Sequence, residues 1–165
     1  ESNLDALKRR DSQALRYAIA KSCQTKADIV AQDEKEHGER ALLNLGHTFA
    51  HAYENLTGYS DNLLHGEAVG LGMAQAARLS VDMGLCAETD AQALINHLAS
   101  AGLPISQTDV KGGPFEVTNL VNVMAQDKKV SQGVMTLILL KAIGKAFITN
   151  DVSAKKITTF LQNQG

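Results

Sequence analysis

Both prolines of this 165-residue chain, Pro104 and Pro114, fall in one short stretch. Proline removes a backbone donor and blocks a helix interior, so the sequence on either side of that stretch is free to run as long helices. The periodicity uses this freedom. Asp11 reads as the N-cap of a helix reaching about Ala31, with Leu15, Ala18, Ile19, Ser22 and Ile29 near one face. A second helix is expected over about Glu39–Leu56. A third runs from His65 to Met83 and stops at Gly84. A fourth covers about Thr89–Ala101, followed by Gly102 and Pro104, and a fifth covers Glu116–Gln126. Ser153 caps a last helix to about Gln162. Only Met135–Leu140 and Lys145–Ile148, on either side of Gly144, read as strands, and they suggest one hairpin. The expected fold class is mainly α with one small β-hairpin.

Composition narrows the class. The hydrophobic fraction is 44% but the aromatic fraction only 4%, with no Trp, so the core must be built from Leu, Ala, Ile, Val and Met. A net charge of −2 argues against a nucleic-acid surface. No apolar run approaches the roughly 20 residues of a membrane span, and no signal peptide is visible. Cys23 and Cys86 lack metal or redox spacing and read as reduced, helix-packing residues of a cytoplasmic protein. The chain begins at Glu1 without Met and reads as a fragment of a longer protein.

The chemistry concentrates between Glu36 and Glu67. At about 100° per residue, Arg40, Asn44, His47 and His51 fall at roughly 0°, 40°, −20° and 20° on one helix. Leu42, Leu45, Phe49, Ala52 and Leu56 point elsewhere and can bury it. If that helix continued back to Glu36, the carboxylate would join the stripe, although Gly38 can break it first. A cation, an amide, two imidazoles and a carboxylate are costly to keep dry without partners. A wet cleft holding a metal or an anionic ligand explains them, whereas two histidines four apart would by themselves suit a solvated face. His65 follows in L-H-G-E, where a new helix begins. By residue type alone, His47 and His51 would be paired as ligands, as in H-E-x-x-H proteins. Gly46, beside His47, costs about 0.5–1 kcal/mol relative to Ala in a helix interior, which suggests that a backbone or ligand approaches closely. Gly66, Gly70, Ala74 and Ala77 give the third helix a small-residue face. Gly70-Leu71-Gly72 lacks the preceding strand and third glycine of a dinucleotide loop.

The segments A-L-L-N-L-G-H-T-F-A-H-A and L-H-G-E-A-V-G-L-G-M, with K-A-D-I-V-A-Q-D-E-K-E upstream and M-A-Q-D-K-K-V downstream, resemble the metal-binding signature of 3-dehydroquinate synthases. One departure is Ala50, where that family usually has glycine. The resemblance covers nearly the whole chain, residues 1–165, and implies the helical C-terminal domain of such an enzyme. It implies Zn²⁺, or another divalent metal such as Co²⁺, held by His47 and His65 and by a glutamate outside this chain. His51 and Glu36 then serve proton transfer. Lys26, Arg40, Asn44, Lys128 and Lys129 form the substrate's anion sites, the choice between the two neighbouring lysines being open. NAD is bound mainly by an N-terminal domain that would precede Glu1, with no cofactor contact in this chain. The implied reaction converts 3-deoxy-arabino-heptulosonate 7-phosphate to 3-dehydroquinate and phosphate, in the shikimate pathway of aromatic amino acid biosynthesis. NAD transiently oxidises one hydroxyl, phosphate leaves, the hydride returns and the ring closes by an aldol step. A homodimer is implied at full length, and no catalysis by this chain alone. Other sugar-phosphate cyclases and metal-dependent polyol dehydrogenases are the rival enzymes, although the latter have no need of the anion set. A helical interaction module is the non-enzymatic alternative.

Overall fold

The computed structural model describes residues 1–34, 38–126 and 134–164. The chain divides into two compact units, Glu1–Leu43 and Asn44–Gly165. In the first, a short helix α1 (Leu4–Lys8) precedes α2 (Ser12–Gln32). Asp11 caps α2 as its position predicts, its carboxylate accepting from the amides of Gln13 at 3.0 Å and Ala14 at 2.9 Å. The apolar face expected on α2 is not buried: Ala14 is its one buried residue, and Ile19 is 61% exposed. Cys23 is exposed on the same helix, which corrects its reading as a packing residue, whereas Cys86 is buried as expected. Beyond α2, the Asp33 carboxylate gathers the backbone, accepting from the amides of Gly38 at 2.8 Å and Arg40 at 3.0 Å.

The helix expected over Glu39–Leu56 is not continuous. Glu39–Asn44 is a 3₁₀ turn, and α3 spans only His47–Leu56. Between them Gly46 adopts φ +83°, a left-handed conformation that costs an L-residue roughly 1–2 kcal/mol. The packing explains the break. Gly46 lies against Gly72 of α4 (His65–Asp82), backbone on backbone. A Cβ at Gly46 would stand 2.5 Å from the Met73 amide nitrogen, and one at Gly72 would collide with the Gly46 carbonyl. The approach suggested by Gly46 is thus made by a neighbouring backbone.

α4 is the centre of the second unit. Gly70, Ala74 and Ala77 are buried along it as expected, but Gly66 is exposed, so the small-residue face begins a turn later. α4 packs on α3, on α5 (Glu88–Ser100) and on strand β1 (Val134–Ala142). α6 (Val117–Gln126) covers α3, and α7 (Ala154–Gln162) packs on α6. The core holds Tyr53, Leu71, Leu79, Met124, Leu139 and Phe160, each at most 1% exposed. Full burial of one such leucine contributes about 1.5–3 kcal/mol.

The hairpin is longer than the sequence suggested. β1 pairs antiparallel with β2 (Lys145–Ser153), placing Leu139 opposite Phe147 and Ala142 opposite Lys145 around Gly144. It is pinned to α4 by the buried Ser80 hydroxyl, which donates to the Ala76 carbonyl at 2.6 Å and accepts from the Leu140 amide at 3.0 Å. Ser153 ends β2 and caps α7, its hydroxyl accepting from the Lys156 amide at 3.2 Å. The mainly helical fold with one hairpin is therefore the one expected. Among the described residues no helix is long and apolar enough to cross a membrane.

Candidate metal and substrate site

His47 opens α3 directly after the left-handed Gly46. Four residues apart on an α-helix, His47 and His51 share a face. Their ring centroids lie 5.7 Å apart with the planes at 86°. His65 opens α4, and Glu67 fixes that helix start by accepting from the Leu64 amide at 2.8 Å. The His65 ring stands 5.6 Å from that of His47, the planes at 65°. His47 thus lies close to two other imidazoles, one from α3 and one from α4. The Gly46–Gly72 contact lets these two helices approach closely beside that cluster.

His47 differs from its neighbours electrostatically. Burial pushes its pKa below the ordinary value, the Leu45 carbonyl opposes this, and repulsion from His51 and His65 adds to it. The ring is therefore neutral at neutral pH, the form in which imidazole ligates metals. Its Nδ1 is buried without a hydrogen-bond partner among the described residues.

His65 is oriented by a residue that the sequence reading did not single out. Glu54, on α3, places Oε1 3.0 Å from His65 Nδ1. The carboxylate side chain is only 11% exposed and the imidazole 61%. A carboxylate only accepts, so Nδ1 carries the donated proton. The signal was present in the sequence: Glu54 stands seven residues after His47 and three after His51, on the same helical stripe.

His51 and Glu54 line a cleft of about 570 Å³, together with Thr48, Asn55, Tyr59 and Gln126. The helix on which Arg40, Asn44, His47 and His51 were counted is interrupted at Gly46, so the 100° count does not carry through it. Asn44 ends the 3₁₀ turn. Arg40 and Lys26 belong to the first unit. The Arg40 guanidinium donates to the Glu34 carbonyl at 2.6 Å, and Lys26 is exposed on α2. Glu36, Lys128 and Lys129 lie outside the described residues.

The donor set suits a metal in part. Two imidazoles bound to one zinc at about 2.0–2.1 Å and a tetrahedral angle bring their centres roughly 5–5.5 Å apart. Both His47 spacings lie close to this, so distance alone does not choose between His51 and His65. Among the described residues, no group of three or more His, Cys, Asp or Glu could hold a metal ion. These residues fit as part of a ligand set, not as all of it.

Residues 1–130 match the family model for the C-terminal part of 3-dehydroquinate synthase. This chain belongs to the 3-dehydroquinate synthase family. A 3-dehydroquinate synthase from Rhodopseudomonas palustris (strain BisA53) is 49% identical over 159 residues, covering 94% of this chain and 42% of the relative. One from Caulobacter vibrioides is 47% identical over 165 residues, covering 100% of this chain and 45% of the relative. The chain thus spans about two fifths of the length of these curated family members. Among solved structures, 2-epi-5-epi-valiolone synthase from Streptomyces hygroscopicus subsp. jinggangensis, with NAD⁺ and Zn²⁺ bound, superimposes with a TM-score of 0.74 at 25% identity, covering 92% of this chain and 40% of that one. A 2-deoxy-scyllo-inosose synthase complexed with carbaglucose-6-phosphate, NAD⁺ and Co²⁺ shares the fold, with a TM-score of 0.70 at 21% identity, covering 95% of this chain and 42% of that one.

Proposed function

We propose that this chain is the metal- and substrate-binding part of a 3-dehydroquinate synthase, acting on 3-deoxy-arabino-heptulosonate 7-phosphate. The observation that carries the reading is the cluster of three imidazoles, with the His51 and His65 rings 5.7 Å and 5.6 Å from that of His47, in a chain of this family. His47 and His65 hold the metal, a glutamate from an N-terminal domain completes the ligands, and the whole protein works as a cytoplasmic homodimer. Zinc supplies Lewis acidity toward a substrate hydroxyl, and NAD, housed by the N-terminal domain, supplies hydride transfer. The bound metals and NAD⁺ of the two similar structures support both assignments.

The remaining work falls to this chain's side chains. His51 lines the cleft beside His47, and there it moves a proton to or from the bound substrate, with Glu36 as its partner. Arg40 offers a planar fork to a carboxylate or phosphate, and Lys26, Asn44, Lys128 and Lys129 complete the anion sites. On this reading the chain needs its N-terminal partner domain for turnover, since NAD and the third ligand are assigned there.

Metal content of three variants of the full-length protein tests the reading. His47→Ala and His65→Ala should lose zinc, while His51→Ala should keep it and lose turnover. Equal zinc loss in His47→Ala and His51→Ala, with His65→Ala unaffected, would assign the ligands to the H-x-x-x-H pair. Turnover of another sugar phosphate in place of the heptulosonate would move the chain to a sister cyclase.

A further inference from the structure

We infer that Glu54 is a positioning residue that holds His65 as a metal ligand through its far nitrogen. The inference rests on the proposed ligand pair and adds a residue to it. Three observations carry it. Glu54 Oε1 lies 3.0 Å from His65 Nδ1. The Glu54 side chain is 11% exposed while the ring it contacts is 61% exposed. The His47 and His65 centroids are 5.6 Å apart, a spacing that suits one shared metal only if the correct nitrogen of each ring faces the gap.

An exposed imidazole at the first residue of a helix has little packing to hold it. It would sample several rotamers and both tautomers. The buried carboxylate removes both freedoms. With Nδ1–H committed to Glu54, the single proton of the neutral ring does not sit on Nε2, and the Nε2 lone pair is left available. Carboxylates stand in this way behind metal-bound histidines, fixing their tautomer and ring orientation.

The α3 stripe therefore has two functions. His47 approaches the metal directly, and Glu54, two turns further along, acts through a ring on α4. Because Glu54 belongs to α3 and His65 to α4, the bond also ties the ligand geometry to the packing of these two helices.

The test uses the full-length protein and two variants, Glu54→Gln and Glu54→Ala. Zinc dissociation constants are read by competition with a chromophoric chelator. The tautomer of His65 is read by ¹⁵N NMR of the metal-free, histidine-labelled protein. Loss of such a partner weakens metal binding by about 10- to 100-fold. Glu54→Ala should fall in that range and lose the fixed Nδ1–H form. Glu54→Gln keeps an acceptor of the same shape, so it should retain the tautomer while binding zinc more weakly than wild type. Wild-type zinc affinity in Glu54→Gln together with a wild-type tautomer in Glu54→Ala would overturn the inference. Should Glu54→Ala not fold, an unchanged zinc affinity in Glu54→Gln overturns it alone. His65→Ala separates the two ideas: if that variant loses zinc while both Glu54 variants keep it, the ligand pair stands and the role of Glu54 falls. If His65→Ala keeps zinc, both fall.

Discussion

Replacing Gly46 by alanine tests the helix crossing on which the site depends. Two separate costs arise. At φ +83° an L-residue is strained by about 1–2 kcal/mol. The added Cβ would also stand 2.5 Å from the Met73 amide nitrogen and 2.7 Å from the Gly72 carbonyl carbon. Both are backbone atoms of the most buried helix, so no side chain can swing aside, and overpacking of this kind costs about 1–3 kcal/mol or more. Together they predict a loss of about 2–5 kcal/mol. For a domain of this size, that lowers Tm by roughly 4–20 °C. Gly66→Ala is the matched control on α4. Nothing lies within 4 Å of its absent Cβ, and alanine gains about 0.5–1 kcal/mol over glycine in a helix. Thermal melts of wild type and both variants, followed by circular dichroism, should therefore move in opposite directions. Zinc affinity should fall in Gly46→Ala, because His47 is displaced with the start of α3. A Tm for Gly46→Ala within about 2 °C of wild type, below the smallest shift derived above, would refute the argument that the two backbones fix each other's position.

Two further outcomes follow from the geometry. Ser80→Ala leaves the buried Leu140 amide without the acceptor it now has at 3.0 Å, and should cost about 1–3 kcal/mol, read by denaturant unfolding; an unchanged midpoint would mean that the hairpin needs no tie to α4. Arg40→Lys keeps the charge and loses the planar fork, so kcat/KM of the full-length enzyme should fall at least about tenfold, the loss expected of one charge-assisted bond, with zinc content near wild type. Wild-type kinetics would show that the guanidinium fork is not needed.

Much of this molecule is written locally. Asp11 and Ser153 cap helices because a short polar side chain before an apolar period has few other uses. Gly84 follows α4 with φ +68°, as a glycine placed after the last periodic residue should. The spacing of His47 and His51 puts them on one face whatever surrounds them. The sequence therefore determined the helical class, the hairpin, most element ends and the stretch in which the three imidazoles lie.

Contacts between elements distant in sequence were decided only by the tertiary structure. The periodicity from Arg40 to His51 continues through Gly46, and a count of angles has no term for a backbone arriving from Gly72. The break exists because that neighbour leaves no room for a Cβ and because glycine tolerates φ +83°. For the same reason the apolar side chains of α2 suggested a buried face, yet only Ala14 is covered. Glu54 was legible as a stripe position but not as a partner of His65, since the 3.0 Å between them is set by how α3 lies on α4. Local sequence fixes which way a side chain leaves its own helix; what it meets there depends on a packing to which the whole core contributes.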